Sequence, residues 1–172
     1  MLRDAFSPRA PISVPALEGF VTTNRFSTYI AETTRGVIHG NSSFLQIFNN
    51  FAVPSQPAVE LQVWDLLHEV DSTWIMSEVS LNQSPATTTS LSTVYWLIER
   101  QIDGREGALI TSKGVNIFAI KDSKDYPQLL IVYWSGMHWE VECLWYGFYR
   151  FTNARIFTMV PVEAPTQIEQ TV

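Results

Sequence analysis

The chain has 172 residues, a net charge of −6, 46% apolar residues and only 16% charged ones. That length fits one domain with a core large enough to stand without a disulfide or metal staple, and the apolar content excludes a disordered chain. The eleven Lys and Arg are scattered, which disfavours nucleic acid as a partner, because phosphate binding needs clustered cations. Cys143 is the single cysteine, so no intrachain disulfide framework exists, in keeping with a reducing compartment.

Residues 1–24 read as an extended N-terminal arm. Pro8, Pro11 and Pro15 exclude a helix interior, yet Phe6, Ile12, Val14, Leu17 and Phe20 are more apolar than a solvated tail requires. Such an arm is expected to lie on its own domain or on a neighbouring subunit. It contains no apolar run of signal-peptide length. The longest strongly apolar run, Leu129 to Trp134, is far short of the ~20 residues needed to cross a bilayer. No membrane partner is expected, and the location reads as open between virion and cytoplasm. Two matches to the glycosylation sequon, at Asn41 and Asn82, are read as chance.

The single β domain is expected over residues 25–160. Ser27 to Ile38 could form a strand, with His39 in a loop. Ser43 to Phe51 carries apolar residues at helical spacing, which allows a short helix or, equally, an irregular apolar segment. Ala58 to Trp64 alternates as a strand does, and Trp64, Leu67, His68 and Asp71 could share a helical turn. Thr73 to Leu81 also alternates and predicts a half-buried strand. Asn82 to Thr93 is a polar loop, long enough to be a contact loop. Val94 to Ile102 predicts a strand, Asp103-Gly104 a hairpin turn, and Ala108 to Ser112 and Val115 to Ile120 the returning strands. Gln128 to Trp134, apolar on both faces, predicts a central strand. His138 to Phe151 predicts a long strand bent at Gly147, and Arg155 to Val160 the close of a meander. Residues 161–172 read as an extended tail.

Strands joined by short turns predict antiparallel pairing, and strands apolar on both faces predict two layers. The expected fold is all-β and mostly antiparallel, a sandwich, jelly roll or barrel-like domain with at most one or two short helices.

The sharpest chemical pattern is His138, Glu140 and Glu142, which share one face of a strand and combine an imidazole with two carboxylates. The plainer interpretation is a solvated strand face, with Trp139, Val141, Cys143 and Trp145 pointing into the core behind it. His68 among Asp65, Glu69 and Asp71 reads as a hydrogen-bonded surface histidine. Cys143 reads as a buried small apolar residue. No nucleophile elbow, phosphate loop or zinc motif occurs. No catalytic residue, cofactor or metal is therefore expected.

The expected function is a non-enzymatic assembly subunit of a larger homo-oligomeric particle, such as a virion capsid, connector or tail component. Its partners would be other copies of itself and neighbouring subunits. The candidate interface residues are Phe6, Ile12, Val14, Leu17 and Phe20 in the arm, and Trp134, Trp139, Trp145 and Tyr149 in the aromatic hairpin. The alternative is a carbohydrate- or peptide-binding module using that hairpin, Trp134 to Phe151, whose rings could stack on a ligand.

Overall fold

The computed structural model describes residues 5–27, 37–81, 88–144 and 149–160. Within them the fold is largely β, with three short helices. One eight-stranded open sheet organises the molecule. Its order is β1 (Phe6–Pro8), β6 (Val59–Leu66), β12 (Ala154–Val160), β8 (Val115–Lys121), β9 (Pro127–Trp134), β10 (Trp139–Cys143) and β4 (Ile38–Gly40), with β2 (Ile12–Val14) beside β1 on β6. Two small ribbons pair β3 (Phe20–Val21) with β5 (Ala52–Val53), and β7 (Val70–Asp71) with β11 (Arg150–Phe151).

Both faces of the sheet are apolar, as the alternation of β8 shows. Phe118 and Ile120 enter one core cluster and Ile117 and Ala119 the other. Leu130 and Val132 follow the first pair, and Leu129 and Ile131 the second. What covers each face differs from the expected second sheet. On one side lie the helices α1 (Ser42–Phe48) and α3 (Leu91–Glu99), through Phe44, Phe48, Leu91, Val94, Leu97 and Ile98. On the other lie α2 (Ser72–Leu81), Phe6 and the β7–β11 ribbon, through Ile75, Val70 and Phe151. Helices in contact with a sheet bury it as well as a second sheet does. The strands apolar on both sides therefore follow from helical cover, and the sheet does not close into a barrel.

Several elements differ from expectation for local reasons. Leu91 to Glu99 is a helix, where the sequence predicts the end of a loop and a strand from Val94 to Ile102. The buried positions Leu91, Val94, Leu97 and Ile98 recur at helical spacing, and Ser90 accepts the amide of Thr93 at 3.2 Å as the N-cap. Thr73 to Leu81 is likewise helical, opened by Asp71, whose Oδ1 accepts the Trp74 amide at 2.7 Å. With α1 these make three helices, against one or two expected. Ala108 to Ser112 forms no strand. It is held by side chains, with Gln101 Oε1 accepting the Leu109 amide and Asn116 Oδ1 accepting the Ile110 amide.

Asp103-Gly104 turns the chain after α3 rather than joining two strands. Gly104 has φ +73°, and a Cβ there would lie 2.2 Å from the Trp134 ring, so both its backbone and its contact demand glycine. The long strand expected over His138 to Phe151 is divided into β10 and β11, with residues 145–148 outside the described set. Nor is the last strand the close of a meander. β12 inserts between β6, antiparallel, and β8, parallel, so the pairing is mixed. The strand Gln128 to Trp134 is interior, as expected, between β8 and β10.

The N-terminal arm is incorporated into the domain. Phe6 pairs with Leu66 and Ile12 with Leu61 across the β6 edge. The tail, residues 161–172, lies outside the described residues, as do residues 82–87 of the expected contact loop.

Candidate functional site

The strongest gathering of polar side chains forms where β4 meets β10. The two strands are parallel and place His39 beside Glu140 and Gly40 beside Val141. A strand alternates its faces, so His39, His138, Glu140 and Glu142 look to one side while Trp139, Val141 and Cys143 are buried on the other. Glu140 lies between the two histidines. One carboxylate oxygen is 2.7 Å from His39 Nδ1 and the other 2.7 Å from His138 Nε2. The imidazole rings meet edge-on, with centroids 6.3 Å apart. His138 is 8% exposed, and among the described residues its Nδ1 has no hydrogen-bond partner.

The next pair along the strand is Glu142 with Asn41, whose Nδ2 donates to it at 2.8 Å. Asn41 also caps α1, accepting the Phe44 amide at 3.1 Å. Ser43 donates to Asn41 and accepts the Cys143 amide, which ties the first turn of α1 to β10. Gly40 permits this close docking, since a Cβ would come 2.5 Å from the buried Phe44 ring.

Burial raises the Glu142 carboxyl above the ordinary carboxylate range, and the neighbouring charge of Glu140 adds to the effect, opposed by the Asn41 hydrogen bond. Tyr133, which pairs with Glu140 across the strands, is raised by burial and then by Glu142 and Glu140.

For Glu142 the sign follows directly. Between its unfolded and its raised folded value the folded chain binds more protons, so stability falls as pH rises through that window. Above that window the cost is fully present. Glu142→Gln keeps an oxygen for Asn41 and removes the charge. The variant is expected to melt about 2 °C higher than wild type at pH 7, with the gain vanishing once acid has protonated Glu142 in both folded and unfolded chains. Thermal melts at the two pH values measure it, and a variant less stable at pH 7 would contradict the burial argument.

The sequence brings His138, Glu140 and Glu142 together correctly but misses His39. It reads as a loop residue, whereas it lies on β4, and its partner Glu140 is 101 positions away. No periodicity reports such a parallel pairing. Among the described residues no group of three His, Cys, Asp or Glu side chains is placed to hold a metal ion. Cys143 turns away from the cluster, 3% exposed, and burial pushes its thiol up to about 12.

His68 is exposed and does not gather its acidic neighbours, because β6 runs on to Leu66 where a helical turn was an option. Asp65 accepts from Arg155 and Arg9, Glu69 from Arg150, and Asp71 caps α2.

The interface candidates divide sharply. Phe6 and Val14 are each 1% exposed and Trp139 is fully buried, its Nε1 donating to the Gln101 carbonyl at 2.7 Å. These three serve the chain's own core. Ile12, Leu17, Phe20 and Trp134 are half-buried. Tyr149 is 48% exposed, and Trp145 lies outside the described residues. Of the described rings in the aromatic hairpin, only Tyr149 is exposed.

Compared with protein-family models, with curated proteins and with solved structures, the chain matches none of them.

Proposed function

We propose that this chain is a non-enzymatic assembly subunit that works by surface contact with copies of itself and with neighbouring subunits. A virion component is the particular form proposed. The observation that carries this reading is the exposure of large apolar side chains on a well-packed domain: Leu67 at 61%, Tyr126 at 63%, Tyr149 at 48% and Met137 at 42%. Aromatic and methionine side chains are the types enriched in protein interfaces. The groups with chemical reach support the same reading, because Glu140 turns both its oxygens to histidines and Cys143 is buried.

The test is the native mass of the full chain by light scattering. The expected result is a closed multiple of the 19.6 kDa protomer, with Leu67→Asp or Tyr149→Asp shifting it toward the monomer. A full chain that stays monomeric at every concentration would refute the reading.

A further inference from the structure

A second feature stands apart from the sheet edge and from the exposed apolar residues. One flank of α3, at the border of the first core, carries Ser92, Tyr95, Trp96 and Glu99 and continues to the C-cap residue Arg100, spaced three and four apart. Opposite it runs the segment from Thr23 to Ser27, and between them lies a groove of about 810 Å³. That is within the range of about 300–1,000 Å³ usual for small-ligand clefts. A smaller hollow of about 150 Å³, bordered by Leu17, Glu18, Phe20 and Ser92, adjoins it, and the two share Arg25, Tyr95, Trp96 and Glu99.

The polar groups of this groove are arranged for an oxyanion. Arg25 lies over the Tyr95 ring with Cζ 5.0 Å from its centroid, and Arg100 over Trp96 at 4.9 Å. Stacking fixes the plane of each guanidinium and leaves its N–H edge free to donate. Arg25 gives one bond to the Tyr95 hydroxyl at 3.2 Å. Among the described residues neither guanidinium is paired with a carboxylate, although the chain carries a net charge of −6 and five other basic side chains are ion-paired. Glu99, the acid within the groove, accepts the Tyr95 hydroxyl at 2.6 Å, and Glu18 borders the adjoining hollow. Ser92 is 2% exposed, and among the described residues its Oγ has no hydrogen-bond partner. A buried hydroxyl without a partner is a rare and costly state, and the residue that carries this one is part of the wall of the hollow, as is Arg25.

We propose that the groove between α3 and residues 23–27 binds a small organic oxyanion, a carboxylate or a phosphate ester carried on a flat apolar body. The oxyanion meets Arg25 and Arg100, whose forked donors match it in pairs, and the flat body lies along Tyr95 and Trp96, toward the hollow that Phe20 borders. Binding here does not depend on the assembly reading, since the groove uses none of the exposed residues on which that reading rests.

Isothermal titration of the full chain with 2-naphthoate, 2-naphthyl phosphate and the uncharged 2-naphthalenemethanol tests the proposal. At least one anion is expected to bind, with the alcohol at least tenfold weaker. Binding of naphthoate alone assigns a carboxylate, and of naphthyl phosphate alone a phosphate ester. Arg25→Gln and Arg100→Gln are each expected to weaken the anion about tenfold or more, the effect of losing a charged hydrogen bond, while Arg9→Gln leaves it unchanged. Both arginines are exposed, so the fold should survive. In the wild-type chain the same titration should shift the Arg25 and Arg100 Nε–H resonances. Absence of binding by both anions, equal binding of the alcohol, or unmoved arginine resonances would overturn the proposal.

Discussion

A chain lacking residues 1–24 is expected to have no cooperative melting transition. The segment reads as an extended arm lying on its own domain or on a neighbour, and its described residues complete the sheet and both cores of its own chain. β1 and β2 pair with six residues of β6, and between them the Arg9 amide donates to the Val63 carbonyl at 2.8 Å. Phe6 stacks on Trp74 beneath one face, while Val14 packs among the residues of the other. Phe20 and Val21 hold β5, and Thr22 exchanges bonds with Phe51. Each large apolar side chain removed forfeits about 1.5–3 kcal/mol of burial, and each ladder hydrogen bond about 1 kcal/mol. Losses on this scale rival the whole stability of a domain, about 5–15 kcal/mol. Circular dichroism of the truncated chain on heating is the measurement. A sharp transition near that of the full chain would show that residues 5–24 contribute little, contrary to their burial.

The second large effect concerns Cys143. With its thiol pushed up to about 12, the thiolate at pH 8 is on the order of 10⁻⁴ of the population, against about a quarter for an ordinary exposed cysteine. Its 3% exposure closes the approach as well. Burial is the first cause of the shift and the charge of Glu142 the second. Native protein mixed with a thiol reagent at pH 8 is expected to react more than a thousandfold more slowly than protein in denaturant. Labelling of the native thiol within minutes would show that β10 opens readily, and with it the pairing to β4 that positions His39.

The parts of the fold legible in the sequence are those whose signal is local. β8 and β9 announce themselves through continuous apolar runs bounded by turn residues, and β6 through its alternation. In α1 the spacing of Phe44, Leu45 and Phe48 allows a helix but equally an irregular apolar segment, and the Asn41 cap decides it. α3 is hidden because Val94, Tyr95, Trp96 and Ile98 are residues that favour strands. The decisive cue is the capping residue Ser90, embedded in a run of serines and threonines. α2 is hidden by an accidental alternation from Thr73 to Leu81, and of its described side chains Ile75 is the fully buried apolar one.

The candidate site divides in the same way. His138, Glu140 and Glu142 are neighbours on one strand and can be read off their spacing, whereas His39 arrives through a pairing that no short window contains. The groove is still less visible. Arg25 and Tyr95 are 70 positions apart, and what joins them is the docking of α3 on the sheet.

The place of β12 has a consequence for how this chain is made. Among the described strands it is the last in chain order, yet it sits third along the sheet. On one side of it stand β1, β2 and β6, and on the other β8, β9, β10 and β4. During synthesis these are two half-sheets, each with an unpaired interior edge, and neither β6 nor β8 has the neighbour that fills its ladder until Ala154 to Val160 has cleared the ribosome. Open edges of this kind invite pairing with other chains, and pairing over such sequence distances is slow. A ribosome stalled a few residues short of that strand would hold an adhesive intermediate, and emergence of Ala154 to Val160 would convert it to the continuous ladder in one step.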